Sequence, residues 1–336
     1  MEWLYSITLR VIAAVALIYF GLGLFNVNWL LRVRIIAALS VGALIVGAAG
    51  YPLVRPEDPL GAIRLFTGDI SMLHGVILIL LGFAAGVAGT LICYPFGRFL
   101  GPLSAPAGVG VLAMASGDMY QILLTNDTFE QRNAVYSVMR WELLFWLGVC
   151  AAGYLGVLLT MKVMGDKIAP IGDAPQSPNK SSIWVNFGIA VAAAAAIIYV
   201  AVSIFAQGIP QFDENIGETV MGHPGHRQIA FGVFVSAALA GFAAKQFFRV
   251  HYIPVILGAV AVYIGAYTKF IGSDAIAYMV KMHPVYFFTN SIYAILPVQF
   301  APFAVLGAIT GFWISIFIKH RPTHTEQPDN VSATPF

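Results

Sequence analysis

Charge is what this chain has least of. Only 10% of its 336 residues are Asp, Glu, Lys or Arg, against about 25% in soluble domains, while 59% are hydrophobic and the mean hydropathy is +0.81. That balance excludes a water-soluble globule and places the chain in lipid. Cysteine is scarce too: Cys93 and Cys150 have no metal-ligand spacing and read as small apolar residues. Net charge is +2, and no basic patch interleaved with aromatics occurs, so no nucleic-acid partner is expected. There is no phosphate-cradling glycine loop, serine elbow or soluble domain, so the chain binds no nucleotide and does not drive itself with ATP.

What is present is a series of long apolar runs. A bilayer core of about 30 Å takes roughly 20 residues of helix, and nine runs qualify: 11–30, 34–53, 71–92, 101–120, 135–161, 184–206, 228–246, 252–271 and 288–318. None alternates polar with apolar, and lipid leaves backbone amides no partner outside a helix, so these runs predict an all-α polytopic membrane protein. The last run is long enough to be tilted, broken at Pro297 or Pro302, or preceded by a short surface helix. The first lacks a small-x-small cleavage site after Phe25 and meets Arg32 and Arg34 directly, so it reads as a retained helix. With nine spans, the loops on one side hold most Lys and Arg, among them Arg98, Lys162, Lys245 and Arg249. The other side carries Glu57, Asp58, Asp69, Asp118 and Glu218. The positive-inside rule then puts the N-terminus outside and the C-terminus in the cytoplasm, as in a bacterial inner membrane protein.

The punctuation of the runs recurs after roughly 150 residues. Val135-Tyr136 returns as Val285-Tyr286, Leu155-Gly156 as Leu306-Gly307, Gly117-Asp118 as Ser273-Asp274, and Arg98 with Pro102 as Arg249 with Pro254. This predicts an extra N-terminal helix over 1–32, a four-helix repeat over 33–163, a Gly-, Pro- and Ser-rich cytoplasmic linker over 164–183, a second repeat over 184–318, and a disordered cytoplasmic tail over 319–336. Four is an even number, so the copies cross the membrane in the same direction, as parallel repeats related by an axis along its normal.

Ionisable residues within spans are costly in lipid and are functional candidates. Arg140 and Glu142, two apart on one helix, point to different faces and belong to the first copy only. His74, Asp118 and Tyr120 share their outer half, and these five could converge on a quinone headgroup. His223 and His226, with Glu218 nearby, offer an N, N, O set for a transition metal, although Pro224 and Gly225 disfavour a regular helix there. Haem b needs facing histidines on two helices, for which His74 with His226 or His283 has a suitable depth. The tail histidines His320 and His324 read as solvated.

Three functions fit. The first is an integral membrane subunit of a redox system, with a quinone, haem or metal site in the outer half and a protein partner carrying redox cofactors. The second is a secondary transporter or channel using Arg140 and Glu142. The third is a structural subunit of a membrane complex. The one-sided clustering of His, Arg and carboxylates favours the first.

Overall fold

The computed structural model describes residues 15–16, 18–23, 27–58, 61–66, 70–165, 180–213, 217–281 and 291–319. Among them, eight helices are long and apolar enough to cross a membrane. These are α1 (Trp29–Val54), α2 (Met72–Ile92), α3 (Gly97–Ala115), α5 (Phe129–Val163), α6 (Lys180–Phe205, with its span from Trp184), α7 (His226–Phe248), α8 (Ile253–Phe270) and α10 (Pro297–Lys319). Two short helices, α4 (Met119–Thr125) and α9 (Asp274–Lys281), complete the set. The protein is an all-α polytopic membrane protein. Of the first predicted span, residues 15–16, 18–23 and 27–30 are described, and 15–16 and 18–23 are helical; the rest lie outside the described residues.

Local chemistry sets the boundaries. The Ser71 hydroxyl accepts from the Leu73 N–H at the start of α2, and the Asn28 side chain accepts from Leu30 N–H at the start of α1. Thr128 and Gln131 form a reciprocal capping box, so α5 begins at Phe129, ahead of the apolar run that starts at 135. At 35 residues α5 is about 50 Å long, so it projects beyond the hydrocarbon layer. The run 101–120 does not stay helical. Ser116 and Asp118 are extended, and the chain restarts as α4. The last run is broken as well: a 3-10 turn at Ser291–Ala294 precedes α10, which starts on Pro297, where a missing N–H costs nothing. An antiparallel hairpin, β1 (Ile209–Asp213) and β2 (Glu218–Gly222), lies between α6 and α7, with Gly217 at φ 71° in its turn. It is a structure that run-length reasoning passes over, because it sits outside the spans.

Helix contacts fall into two sets with the same order of pairing. In the first, α2 packs most extensively on α5, and α1 on α3 and α2. In the second, α7 packs most extensively on α10, and α6 on α7 and α8. Across the sets, α10 lies on α3 and α5, and α8 lies on α5. Backbones touch at the main crossings. Gly86 faces the Gly153 carbonyl and Gly156 the Phe83 carbonyl, while Gly311 faces the Ala238 carbonyl and Gly307 the Phe234 carbonyl. Each leaves no room for a Cβ, which is how small residues hold helices together where lipid supplies no hydrophobic drive. Large apolar side chains such as Leu80, Leu155, Ile204 and Leu239 point outward. Burial of 67% for the α3 span against 28% for α6 makes α3 central and α6 peripheral.

Because consecutive spans alternate in direction, the described residues between α1 and α2, between α3 and α5, between α6 and α7 and between α8 and α10 share one end of the bundle. It is the end that carries Glu57, Asp58, Asp118 and Asp127.

Candidate functional site

The break after α3 is where the site begins. The Ser116 hydroxyl accepts from the Ile63 N–H at 3.0 Å, and the Gly117 N–H donates to the Gly61 carbonyl at 3.0 Å. These bonds strap segment 61–66 against the 116–118 break, and Ile63 is buried beneath it. Asp118 follows, its side chain 30% exposed.

Two histidines arrive from the other helix set. His226 opens α7 and places Nε2 2.8 Å from Asp118 Oδ1, beside the Ser116 and Gly117 peptides. His223 precedes that helix, in the non-helical stretch that Pro224 and Gly225 impose, with Nδ1 4.0 Å from the same oxygen. Its Nε2 lies 3.2 Å from the Ala294 carbonyl, so a neutral ring bonded there carries its hydrogen on Nε2 and turns a lone pair toward Asp118. Burial pushes the His223 imidazole below its ordinary value, opposed by Asp118 and the Ala294 carbonyl. Sequence spacing separates Asp118 and these histidines into two groups; the fold joins them.

Ala294 ends the 3-10 turn that precedes α10, and the carbonyls of 293–295 are answered one by one. Tyr136 O–H donates to Tyr293 O at 3.2 Å, His223 reaches Ala294 O, and Tyr263 and Tyr267 donate to Ile295 O at 3.0 and 2.7 Å. Irregular backbone at this depth survives only when its polar groups are met by protein. The tyrosines are thus as much a part of the site's frame as the histidines. Sequence reading passed over Tyr263 and Tyr267, although their i, i+4 spacing on one helix face was a usable signal.

The remaining candidates stand elsewhere. Glu142 is 1% exposed, and its Oε1 accepts from Leu65 N–H and Trp146 Nε1–H, both at 3.1 Å. Arg140 points away, its guanidinium 5.2 Å from the Trp141 ring centroid. Among the described residues no ion pair joins the two. His74 is half-buried in the first turn of α2, and no hydrogen bond or ion pair among the described residues links it to Asp118. Tyr120 is half-buried in α4, two residues past Asp118. Glu218 opens β2 in register with Asp213, but its side chain lies outside the described residues, as do His283, Asp69, His320 and His324. No group of three His, Cys, Asp or Glu among the described residues is arranged to hold a metal ion. Arg132, buried at 1% exposure, donates to the Asn126 and Leu123 carbonyls and closes the C-terminal end of α4. Its role is hard to read in the sequence because it lies among polar residues ahead of the apolar run that starts at 135.

No protein-family model, no curated protein and no solved structure matches this chain.

Proposed function

We propose that this protein is an integral membrane subunit of a redox system, and that Asp118, His226 and His223 form the headgroup site for a quinone at the outer end of the bundle. The observation that carries the reading is the 2.8 Å approach of His226 to Asp118. It sets a proton donor and its counter-charge at the junction of the two helix sets, partly open to the surroundings. Reducing a quinone to its quinol takes up two electrons and two protons. A histidine oriented by a carboxylate hydrogen-bonds a carbonyl oxygen and exchanges a proton with it. In this reading the electrons come from a partner protein carrying redox centres. Of the cofactor classes, haem b asks for facing histidines and a metal for three ligands, whereas a quinone asks only for this pair beside an apolar surface.

The same reading takes the two helix sets as parallel repeats over 33–163 and 184–318, with 1–32 as an extra helix. In its support, Phe83 with Gly156 and Phe234 with Gly307 make the same contact at the same separation in sequence. The acid-rich end is then outside and the C-terminus cytoplasmic, in a bacterial inner membrane.

Solvent extraction of protein purified in native lipid discs should recover a quinone. His226→Ala and Asp118→Asn should each lower its occupancy at least tenfold. Folded protein that neither retains nor binds a quinone would sink the reading. A transporter is the second reading, favoured by the buried Glu142 beside an interrupted helix. Proteoliposome uptake abolished by Glu142→Gln would establish it.

A further inference from the structure

Glu142 is the one fully buried carboxyl among the described residues. Both of its hydrogen bonds fall on Oε1, from the Leu65 peptide and the Trp146 indole. Oε2 is equally enclosed, and no described group donates a hydrogen bond to it, although the Phe66 peptide lies close by.

The surroundings decide which form of the carboxyl fits. From α8, Tyr263 and Tyr267 come within electrostatic reach of Glu142. Their two hydrogens are committed to the Ile295 carbonyl or to each other, and the Tyr136 hydrogen goes to Tyr293 O. These hydroxyls have lone pairs to offer and no hydrogen for a carboxylate. A carboxylic acid, by contrast, brings its own hydrogen. The cation in range is Arg64, half-buried in the 61–66 strap, and it forms no ion pair with Glu142 within 4.0 Å among the described residues. An ionised carboxyl enclosed without a paired cation is strongly disfavoured, and such groups neutralise instead.

We propose that Glu142 is an internal proton-binding site. At neutral pH its carboxyl is the neutral acid, with the hydrogen on Oε2. It releases that proton only when the 61–66 strap or the α8 tyrosines move off it. The step is a plain ionisation, in which the O–H bond breaks, the electron pair stays on Oε2 and the proton leaves. Tyr263 and Tyr267 on one side and the His223 ring on the other meet the adjacent carbonyls Ile295 O and Ala294 O, and His223 lies 4.0 Å from Asp118. The inference goes beyond the quinone reading and does not depend on it.

Infrared spectroscopy of the full-length protein in lipid discs tests the proposal. At neutral pH the wild type should show the carbonyl stretch of a protonated carboxyl, displaced by 13C-glutamate labelling. Glu142→Gln should remove it, since the amide matches the acid in shape and cannot ionise. Should that variant fail to fold, the labelled wild type alone decides, because solvated glutamates are ionised at this pH. Absence of a protonated glutamyl band at neutral pH, or its persistence in folded Glu142→Gln, overturns the proposal. Either result leaves quinone binding at Asp118 and His226 to be judged by its own assay.

Discussion

Replacing Tyr263 and Tyr267 by phenylalanine, singly and together, tests whether the interrupted helix depends on hydroxyls from α8. Both donate to one acceptor, Ile295 O, at 3.0 and 2.7 Å, and all three residues are fully buried. The rings stack at 4.3 Å between centroids, so phenylalanine keeps the packing and removes only the hydroxyl. Each single change leaves the carbonyl with its other donor and should cost about 1 kcal/mol, the usual net worth of such a bond. The double change loses both bonds, about 2 kcal/mol, and also strands a buried carbonyl, which adds ~1–3 kcal/mol. The total is then about 3–5 kcal/mol, well above the sum of the singles. A double-mutant cycle by SDS-driven unfolding in bicelles measures the excess. If the double change equals the sum within about 0.5 kcal/mol, the shared carbonyl is not what the tyrosines hold, and the account of segment 291–296 fails.

Four further outcomes follow from the same contacts. Gly86→Leu should abolish folded yield, because the atom met is the Gly153 backbone oxygen and no rotamer relieves it; Gly148→Leu, with open space around the glycine, should be tolerated. Detergent size-exclusion profiles report both. Arg132→Met should destabilise by ~3 kcal/mol, since the Leu123 and Asn126 carbonyls lose a charged donor, and thermal unfolding checks it. His251 is pushed from its ordinary 6.5 to about 4 by burial, Lys245 and Arg98. The folded state therefore binds its proton less tightly than the unfolded chain, so this contribution to stability is complete above pH 6.5 and is lost as pH falls toward 4. His251→Phe should flatten that acid limb; an unchanged slope in melting temperature against pH rules the residue out as its source. Asp118→Asn should keep the fold while shifting the His226 ring resonances in NMR of labelled histidine, because the carboxylate 2.8 Å from its Nε2 is gone; unshifted resonances would refute the contact.

Much of the bundle is legible in the order of residues. Apolar length alone places α1, α2, α6, α7 and α8 to within a few residues, because a helix in lipid has no alternative backbone partner. Pro297 marks where α10 starts, because a first helical position needs no N–H, and Thr128 with Gln131 marks where α5 starts, through hydrogen bonds made within a turn. The hairpin and the extended stretch at 116–118 are harder to read. The hairpin pairs locally but lies outside the apolar runs, whereas the bonds of the 116–118 stretch run to residues far away in sequence, as from Ile63 to Ser116.

The candidate site divides along the same line. Sequence by itself determined that the molecule is a membrane bundle, and it singled out a few ionisable residues in or near its spans, Glu142 and Asp118 among them, as candidates for a site. Composition and run length are enough for that, since the cost of charge in lipid does not depend on which helix is the neighbour. Only the tertiary structure decided that Asp118 meets His226 rather than His74, that Arg140 and Glu142 have separate surroundings, and that Tyr263 and Tyr267 hold the Ile295 carbonyl. Those outcomes depend on which helices pack together, and that is set by close approach at glycines such as Gly86 and Gly311, whose partners no local pattern names.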